Sequence, residues 1–599
     1  MAGTNPDTAH DKPVEGFARL IDIGIALSAE RNHDRLMEMI LLEAKDMGNA
    51  DGGTLYLRTE DDHLKFEIMR TDSLNIAKGG TTGEAIAFPP LPLYDRDTGR
   101  PNHQNVASHA ALTGTTVNIP DAYAVREFDF TGPRAFDRET GYRSRSFLTV
   151  PLKDRGGDVI GVLQLLNALD PRTGAVIPFD SGIQPFVEAL ASQAAVALAN
   201  QRLLESQKTL LDSFIKLIAS AIDAKSPYTG GHCQRVPVLA RMLAEAACQS
   251  RERPFADFNL TEDEWYELHI AAWLHDCGKI TTPEYVVDKA TKLETLFNRI
   301  HEIRTRFEVV KRDVEIEYLK SRLNGGGDAD ALRRDMEARL ARLDDDFAFI
   351  AEHNIGTEST APESMERIKR IARTRWTRTL DDRLGLAHGE KKRKERAPAT
   401  GLPADEFLLS DKDEHIIPHE PGAGNSDGED RGFRLQTPEH QYNLGEVYNL
   451  CIPRGTLTPE ERFKINDHIV QTITMLEKLP FPRNLRRVPE FAGAHHEKIN
   501  GSGYPRRLDR DDMSIPARIM AIADIFEALT AADRPYKTAK TLSEAIQIMS
   551  AMCRDRDIDA DLFSLFLKSG IHKEYAEKFL PPEQIDDVDI GAYADPRGE

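Results

Sequence analysis

His495-His496-Glu497-Lys498-Ile499-Asn500-Gly501-Ser502-Gly503-Tyr504-Pro505 reads as two imidazoles at a helix end followed by a glycine-punctuated loop. Neighbouring positions on a helix diverge by about 100°, so both rings can act as ligands only if two metals, or a metal and the groups around it, lie close by. Asn500 to Gly503 supplies backbone that tolerates positive φ, and Pro505 stiffens the exit. Taken alone, such a pair of histidines is more often a surface turn after a polar helix. Partners elsewhere in the chain decide between the two readings.

Five residues in helical contexts answer that description: His232, the adjacent pair His275-Asp276, His468 and Asp524. Asp524 interrupts the apolar run Ala517-Arg518-Ile519-Met520-Ala521-Ile522-Ala523, and a buried carboxylate must be paired or metal-bound. His275-Asp276 follows Ala271-Ala272-Trp273-Leu274, which would bury it as well. A satisfied core histidine explains any one of these residues, but not all seven candidate ligands together. Nitrogen and carboxylate donors without thiolates suit zinc, iron or manganese. A histidine followed directly by aspartate can place its imidazole on one metal and share the carboxylate with a second. Two cations about 3.5–4 Å apart activate water and stabilise the entering and leaving oxygens of an in-line displacement at phosphorus. The implied reaction class is phosphoester hydrolysis.

Composition sets the frame. At 599 residues the chain should hold several domains. A formal net charge of -21 argues against non-specific nucleic-acid binding. Five scattered cysteines (Cys233, Cys248, Cys277, Cys451, Cys553) form no CxxC pair, which fits a reducing compartment. The start, Met1 to Lys12, is polar, and no run of 18 or more apolar residues occurs, so no membrane association is expected and a cytoplasmic location is.

The fold class expected is multidomain. Helical spacing from Pro13 to Met47, strand-like alternation from Gly53, and the pair Ser146–Leu152 and Val159–Leu165 around Gly156-Gly157 predict an α/β domain, an antiparallel sheet with flanking helices. A long linking helix follows over 181–223. Its heptad stripe Leu190, Ala197, Leu204, Leu211, Ile218, with Val187, Ala194, Ile215 and Ile222 beside it, predicts a homodimeric coiled coil; a single-chain core helix gives the same pattern. An all-α domain comes next, interrupted by a mainly helical insertion. Phe297 to Asn354 reads as an antiparallel helical hairpin broken at Asn324-Gly325-Gly326-Gly327. The basic run Lys391-Lys392-Arg393-Lys394 fits either a solvated charge run or an anion-binding patch, and the stretch after it to about Gly432 reads as a flexible loop. The tail, 581–599, is acidic and expected to be poorly ordered.

His232, His275-Asp276 and Asp524 resemble the H…HD…D set of the HD phosphohydrolase superfamily, and His495-His496-Glu497 with Gly501-Ser502-Gly503-Tyr504-Pro505 resembles the signature of its HD-GYP branch. Tyr228-Thr229-Gly230-Gly231-His232, His275-Asp276-Cys277-Gly278-Lys279, Gly455-Thr456-Leu457-Thr458-Pro459-Glu460-Glu461 and Asp533-Arg534-Pro535-Tyr536-Lys537 agree with it. The resemblance divides the catalytic domain into 212–290 and 455–575, around an insertion at 291–454 where family members usually have a short loop. It implies a di- or trinuclear centre, often iron with manganese as the alternative, hydrolysing cyclic di-GMP. The implied ligands are His232, His275, Asp276 as the bridge, His468, His495, His496 and Asp524. Asp276 and Lys279 would be catalytic, and Tyr504, Arg534 and Lys537 would bind substrate. Trinuclear members carry a glutamate where this chain has Tyr228, so two divalent ions and mainly linear pGpG are implied. Lys498 and Asn500 stand where many members have Arg and Asp, which weakens the inference of guanine recognition.

Residues 14–205 resemble a GAF domain, through Asn118-Ile119-Pro120-Asp121-Ala122-Tyr123, Thr140-Gly141-Tyr142-Arg143-Ser144-Arg145-Ser146 and Gly161-Val162-Leu163-Gln164-Leu165-Leu166-Asn167. The resemblance implies a pocket for a cyclic nucleotide or other small ligand, with Asn118, Asp121, Arg143 and Asn167 as candidate residues, or a purely dimerising GAF. With no cysteine in residues 1–200, a thiol-linked bilin is excluded. The function expected is a GAF-regulated cyclic di-GMP phosphodiesterase. The alternatives are a cyclic di-GMP receptor that no longer cuts its ligand and signals through the insertion, and a hydrolase of another cyclic dinucleotide.

Overall fold

The computed structural model describes residues 11–225, 231–356, 359–420, 431–531 and 539–593. Contacts divide the chain into two units, Met1–Leu211 and Asp212–Glu599. The first opens with helices α1 (Asp11–Ala29) and α2 (His33–Met47), the latter capped by Asn32, whose side chain accepts from Arg35 N. Strands β1 (Ala50–Arg58), β2 (His63–Thr71), β3 (Ile76–Gly79) and β4 (Leu91–Pro92) follow, then α3 (Val106–Thr113), β5 (Val117–Ile119), α4 (Thr131–Thr140), β6 (Phe147–Lys153), β7 (Val159–Leu169) and β8 (Val176–Ile177). The sheet runs β3-β2-β1-β7-β6-β5, with β4 on β2 and β8 on β7, and its neighbours are antiparallel. The β6–β7 hairpin closes through Asp154 N to Asp158 O at 2.9 Å, with Gly157 at φ 88°. One sheet face packs Leu55, Leu163 and Leu165 against Leu36, Ile40 and Leu41 of α2 and Leu190 and Ala194 of α5 (Gln184–Asp223).

That packing uses both ends of α5 in the chain's own cores. Val187, Leu190 and Ala194 are core residues of the first unit, and Ile215, Ala219 and Ile222 belong to the core of the second. The last three positions of the stripe face outward: Leu204 is 66% exposed, Leu211 38% and Ile218 46%.

In the second unit α6 (His232–Gln249), α7 (Glu262–Leu274), α8 (Glu284–Val287), α14 (Pro459–Glu477), α15 (Val488–Gly493), α16 (Ile515–Thr530), α17 (Leu542–Arg554), α18 (Ala560–Lys568) and α19 (Ile571–Phe579) make up the helical body. Its core joins Val236, Leu239 and Leu243 to Phe491, Ile522, Phe526, Phe563 and Phe566. Between α8 and α14 the intervening segment builds a core of its own. The hairpin α9 (Ile300–Leu323) and α10 (Ala329–Asn354) packs Ile303, Phe307 and Ile350 against Ile368 of α11 (Pro362–Ala372) and Leu450 of α13 (Glu446–Leu450).

Of the loop expected after the basic run, residues 421–430 lie outside the described residues, and the part before them is more ordered than its composition suggests. Lys391 to Lys394 lie in a short helix, α12 (His388–Lys394). Strand β10 (Ala404–Phe407) pairs with β9 (Arg375–Arg378), and β11 (Ile416–Ile417) with β12 (Tyr442–Asn443). Residues 594–599 of the tail lie outside the described residues; at its start buried Gln584 donates to Thr530 O at 3.1 Å and Lys540 O at 2.7 Å.

Two buried lysines stitch the insertion's ends. Lys289 Nζ binds both oxygens of Glu461, at 2.9 and 2.8 Å, and Asn449 Oδ1 at 3.2 Å. Lys292 Nζ donates to Thr360 Oγ1, Leu450 O and Ile452 O at 3.0–3.1 Å. The charge of Lys289 is matched by a carboxylate, whereas that of Lys292 is met by oxygen dipoles, the condition under which buried cations are tolerated.

Candidate metal centre

α7 ends at Leu274 and the chain tightens into a 3₁₀ turn, Cys277–Thr281, that leaves His275 and Asp276 facing inward. Gly278 makes this possible. A Cβ there would lie 1.9 Å from His468 O and 2.6 Å from Thr472 N, and Gly278 N donates to Thr472 Oγ1 at 2.9 Å. The turn therefore abuts α14 and brings Asp276 to His468. His232 enters from the first residue of α6, Asp524 from the middle of α16, and His495 and His496 from the turn just past α15.

The carboxylate of Asp276 lies between two groups of imidazoles. Its Oδ2 is 3.2 Å from His232 Nε2 and 3.3 Å from His275 Nε2; its Oδ1 is 3.3 Å from His468 Nε2 and 3.9 Å from His495 Nε2. Asp524 Oδ1 completes the first group, 3.2 Å from His232 Nε2 and 3.6 Å from His275 Nε2. His468, His495 and His496 form the second group, with the His495 and His496 ring centroids 4.2 Å apart. The sequence thus placed seven residues in one site, and the structure brings all seven together.

The outer nitrogens are already occupied. His275 Nδ1 donates to Ala272 O at 2.8 Å, His495 Nδ1 to Ala492 O at 2.7 Å, and His468 Nδ1 to Ile465 O. Each carbonyl fixes the tautomer that leaves Nε2 as a lone-pair donor toward the centre. Asp276 Oδ1, His468 Nε2 and His495 Nε2 are buried and make no hydrogen bond within the protein. Buried acceptors left this way cost about 1–3 kcal/mol each, which a cation would offset. The donor set fits divalent metals: imidazole nitrogens and carboxylates, no thiolate, one carboxylate placed to bridge.

Electrostatics divides the site. Burial drives His495 down to about 4 and His496 well below the usual imidazole range, so these are neutral ligands. Burial opposes charge on His275 too, but Asp276 and Asp524 raise it to about 9. Burial also pushes Asp276 upward, yet Lys279 and His275 outweigh it and hold the carboxyl well below the usual range. Lys279 Nζ sits 2.6 Å from Asp276 Oδ2, with part of its side chain open to solvent.

Tyr504 stacks on His496, ring centroids 4.9 Å apart at 25°, and its N donates to His496 O at 3.2 Å. The loop is folded around Glu497, whose buried carboxylate accepts from Arg506 N at 2.6 Å and Leu508 N at 3.0 Å. Gly503 must be glycine, since a Cβ would meet Lys498 N at 2.3 Å. Lys498 and Asn500 both bond Asp557, at 2.7 and 3.1 Å, so the two departures from the family pattern anchor the loop. The returning end of the insertion borders it, with Arg434 N donating to Pro505 O at 2.6 Å and Arg506 Nε to Arg431 O at 3.2 Å. Arg534, Lys537 and Tyr228 lie outside the described residues.

One functional group was not anticipated. Glu527 is buried one turn after Asp524, accepts from His232 Nδ1, and is held by Arg235 at 2.7 and 2.6 Å. The i, i+3 spacing of Asp524 and Glu527 on an otherwise apolar helix was the available signal.

In the first unit the four candidate pocket residues serve the fold. Asn167 Oδ1 accepts from Arg145 N and Ser146 N, and its Nδ2 donates to Arg143 O. Asn118 reaches Phe179 O, Asp121 pairs with Arg145, and Arg143 lies over Tyr123. A cavity of about 440 Å³ is lined instead by Tyr56, Phe66, Phe136, Tyr142, Phe147 and Gln164 among others. The four lie outside it because they tie the strand ends together.

Residues 32–198 match the GAF domain model, and residues 408–562 match that of the HD domain. The chain carries a GAF domain and an HD domain, the pairing its sequence resembles. It is 43% identical over 141 residues to the 3'3'-cGAMP-specific phosphodiesterase 1 of Vibrio cholerae, covering 23% of this chain and 29% of that protein. It is 38% identical over 115 residues to the 3'3'-cGAMP-specific phosphodiesterase 3 of the same organism (19% and 24%), and 38% identical over 121 residues to the cyclic di-GMP phosphodiesterase of Thermotoga maritima (20% and 32%). The chain spans about a quarter to a third of the length of these curated relatives. No helix among the described residues is long and apolar enough to cross a membrane.

Proposed function

We propose that the protein is a metal-dependent phosphodiesterase that opens a cyclic dinucleotide, with cyclic di-GMP as substrate and linear pGpG as the main product. The observation that carries this reading is the Asp276 carboxylate between two imidazole groups, with Oδ1 and the Nε2 atoms of His468 and His495 buried and without a hydrogen bond. His232, His275, Asp276 and Asp524 would hold one divalent ion, iron or manganese, and His468, His495, His496 and Asp276 the other. Bound there, the ions would supply positive charge against the phosphodiester oxygens and polarise a water for attack at phosphorus. The chain's own groups do the rest. Lys279 adds a cation beside Asp276 for charge that develops on phosphate oxygen. Tyr504 offers a ring face at the His496 edge of the centre, and the backbone carbonyls hold each imidazole in one tautomer.

The names of the Vibrio cholerae relatives favour one second reading, hydrolysis of 3'3'-cGAMP in place of cyclic di-GMP. A panel of cyclic dinucleotides offered to anaerobically purified, metal-loaded protein separates the two by product. Binding without turnover of any member would reject both.

A small ligand in the aromatic-lined cavity of the GAF domain acts through α5, and the exposed Leu204, Leu211 and Ile218 meet a second copy there. The proposed setting is the cytoplasm, where the five free cysteines stay reduced.

A further inference from the structure

We infer that the insertion holds a binding site of its own for a small organic oxyanion, in a cavity of about 630 Å³ between α9, α12 and the β9–β10 ribbon. Six basic and six acidic side chains line it, so the formal charges balance and no net field draws a ligand in. What distinguishes the cavity is which groups remain unused.

Its carboxylates are all engaged. Glu446 takes Arg306 at 2.9 Å and Ser410 N at 3.0 Å, and Glu302 takes the other arm of Arg306 at 2.5 Å. Glu406 is held by Lys412 at 2.8 Å and by Arg378, Asp382 and Glu414 by Lys394, and Glu390 by Ala387 N at 3.2 Å. Each of the six thus already has at least one donor. The donors are in surplus. Among the described residues neither Arg299 nor Arg393 makes an ion pair; Arg299 spends Nε on Leu293 O at 3.1 Å and Nη1 on Leu444 O at 2.6 Å. Arg299 Nη2, Arg393 Nε and Trp376 Nε1 are all buried without an acceptor.

Three lining residues with buried N–H groups that no acceptor meets, two of them guanidinium cations, call for oxygen acceptors carrying negative charge. Guanidinium forks suit phosphate or carboxylate oxygens. The volume exceeds what an inorganic ion fills, and Trp376, Val309 and Leu444 give the walls apolar area for an organic body. The basic run of the sequence is thereby divided in two. Lys391 and Lys392 are exposed, whereas Arg393 and Lys394 are drawn into the cavity wall.

The test uses the full chain. Trp376 is one of three tryptophans, so the difference between wild-type and W376F emission isolates its signal. Inorganic phosphate, adenosine monophosphate and citrate serve as probes, and D276A protein removes any contribution from turnover. A saturable change with at least one organic probe is expected in wild-type and D276A protein. R393Q should weaken it about tenfold or more at an unchanged melting temperature, the loss of one charge-assisted donor. If R393Q melts lower, R393K, which keeps the charge and loses the fork, should still weaken binding. No saturable response to any probe, a response to inorganic phosphate alone, or equal affinity in the melting-matched Arg393 variant would overturn the inference.

Discussion

Glu527 shows how a residue can matter to a metal site without touching it. Its carboxylate fixes the His232 ring from behind and is itself pinned by Arg235, so Nε2 faces Asp276 and Asp524. Partners of this kind typically account for about 10–100-fold in metal affinity or activity. Glu527→Gln is therefore expected to lower occupancy by about that factor while the melting temperature of the metal-free protein changes little; metal analysis against thermal melting checks it. Asp524 was legible in the sequence because a lone carboxylate broke an apolar run. Glu527 carried only the weaker signal of its spacing from Asp524, since glutamate near the end of a helix commonly faces solvent. Only packing against α6 buries it.

At the scale of elements, periodicity served well where it was long. The hairpin over Ile300–Leu323 and Ala329–Asn354 stands where helical spacing and a glycine break put it. Two- and four-residue strands such as β9 to β12 leave no periodic trace, so a charged, Pro- and Gly-rich stretch read as loop. The ion pair Lys289–Glu461, with side chains 1% and 3% exposed, closes the insertion's ends. Lys289→Met leaves Glu461 buried and unpaired and should cost about 3–5 kcal/mol, read as a fall in melting temperature. Lys289→Met with Glu461→Leu should recover much of that loss. The heptad on α5 was legible as a pattern and ambiguous as an interface, because a chain's own core and a partner's helix satisfy the same spacing. Leu211→Glu is expected to shift the protein from dimer to monomer in sedimentation while leaving its helical content unchanged. An unchanged sedimentation coefficient would reject the interface.

At the scale of the molecule, the two domains differ in how their sites were written. The candidate ligands are chemically rare in apolar helices, so seven residues from five separate places in the sequence could be gathered from the sequence alone. The GAF cavity is built from aromatic and amide side chains of strands and loops, residues that elsewhere simply fill cores, and the segments that stood out belong to strand ends. A ligand of that cavity should change turnover in the full chain, and Gln164→Leu, which removes the partner of Tyr56 and Thr149, should blunt the response. Turnover kinetics with and without the ligand check this.

The bridging role of Asp276 is the claim on which the rest depends, and metal content with product analysis on anaerobically purified wild-type and Asp276→Ala protein tests it most directly. The wild type should hold two divalent ions per chain and linearise a cyclic dinucleotide. Asp276→Ala should fold, lose metal and lose turnover together. Undiminished turnover by that variant, or a wild type that folds yet takes up no metal, would contradict the account.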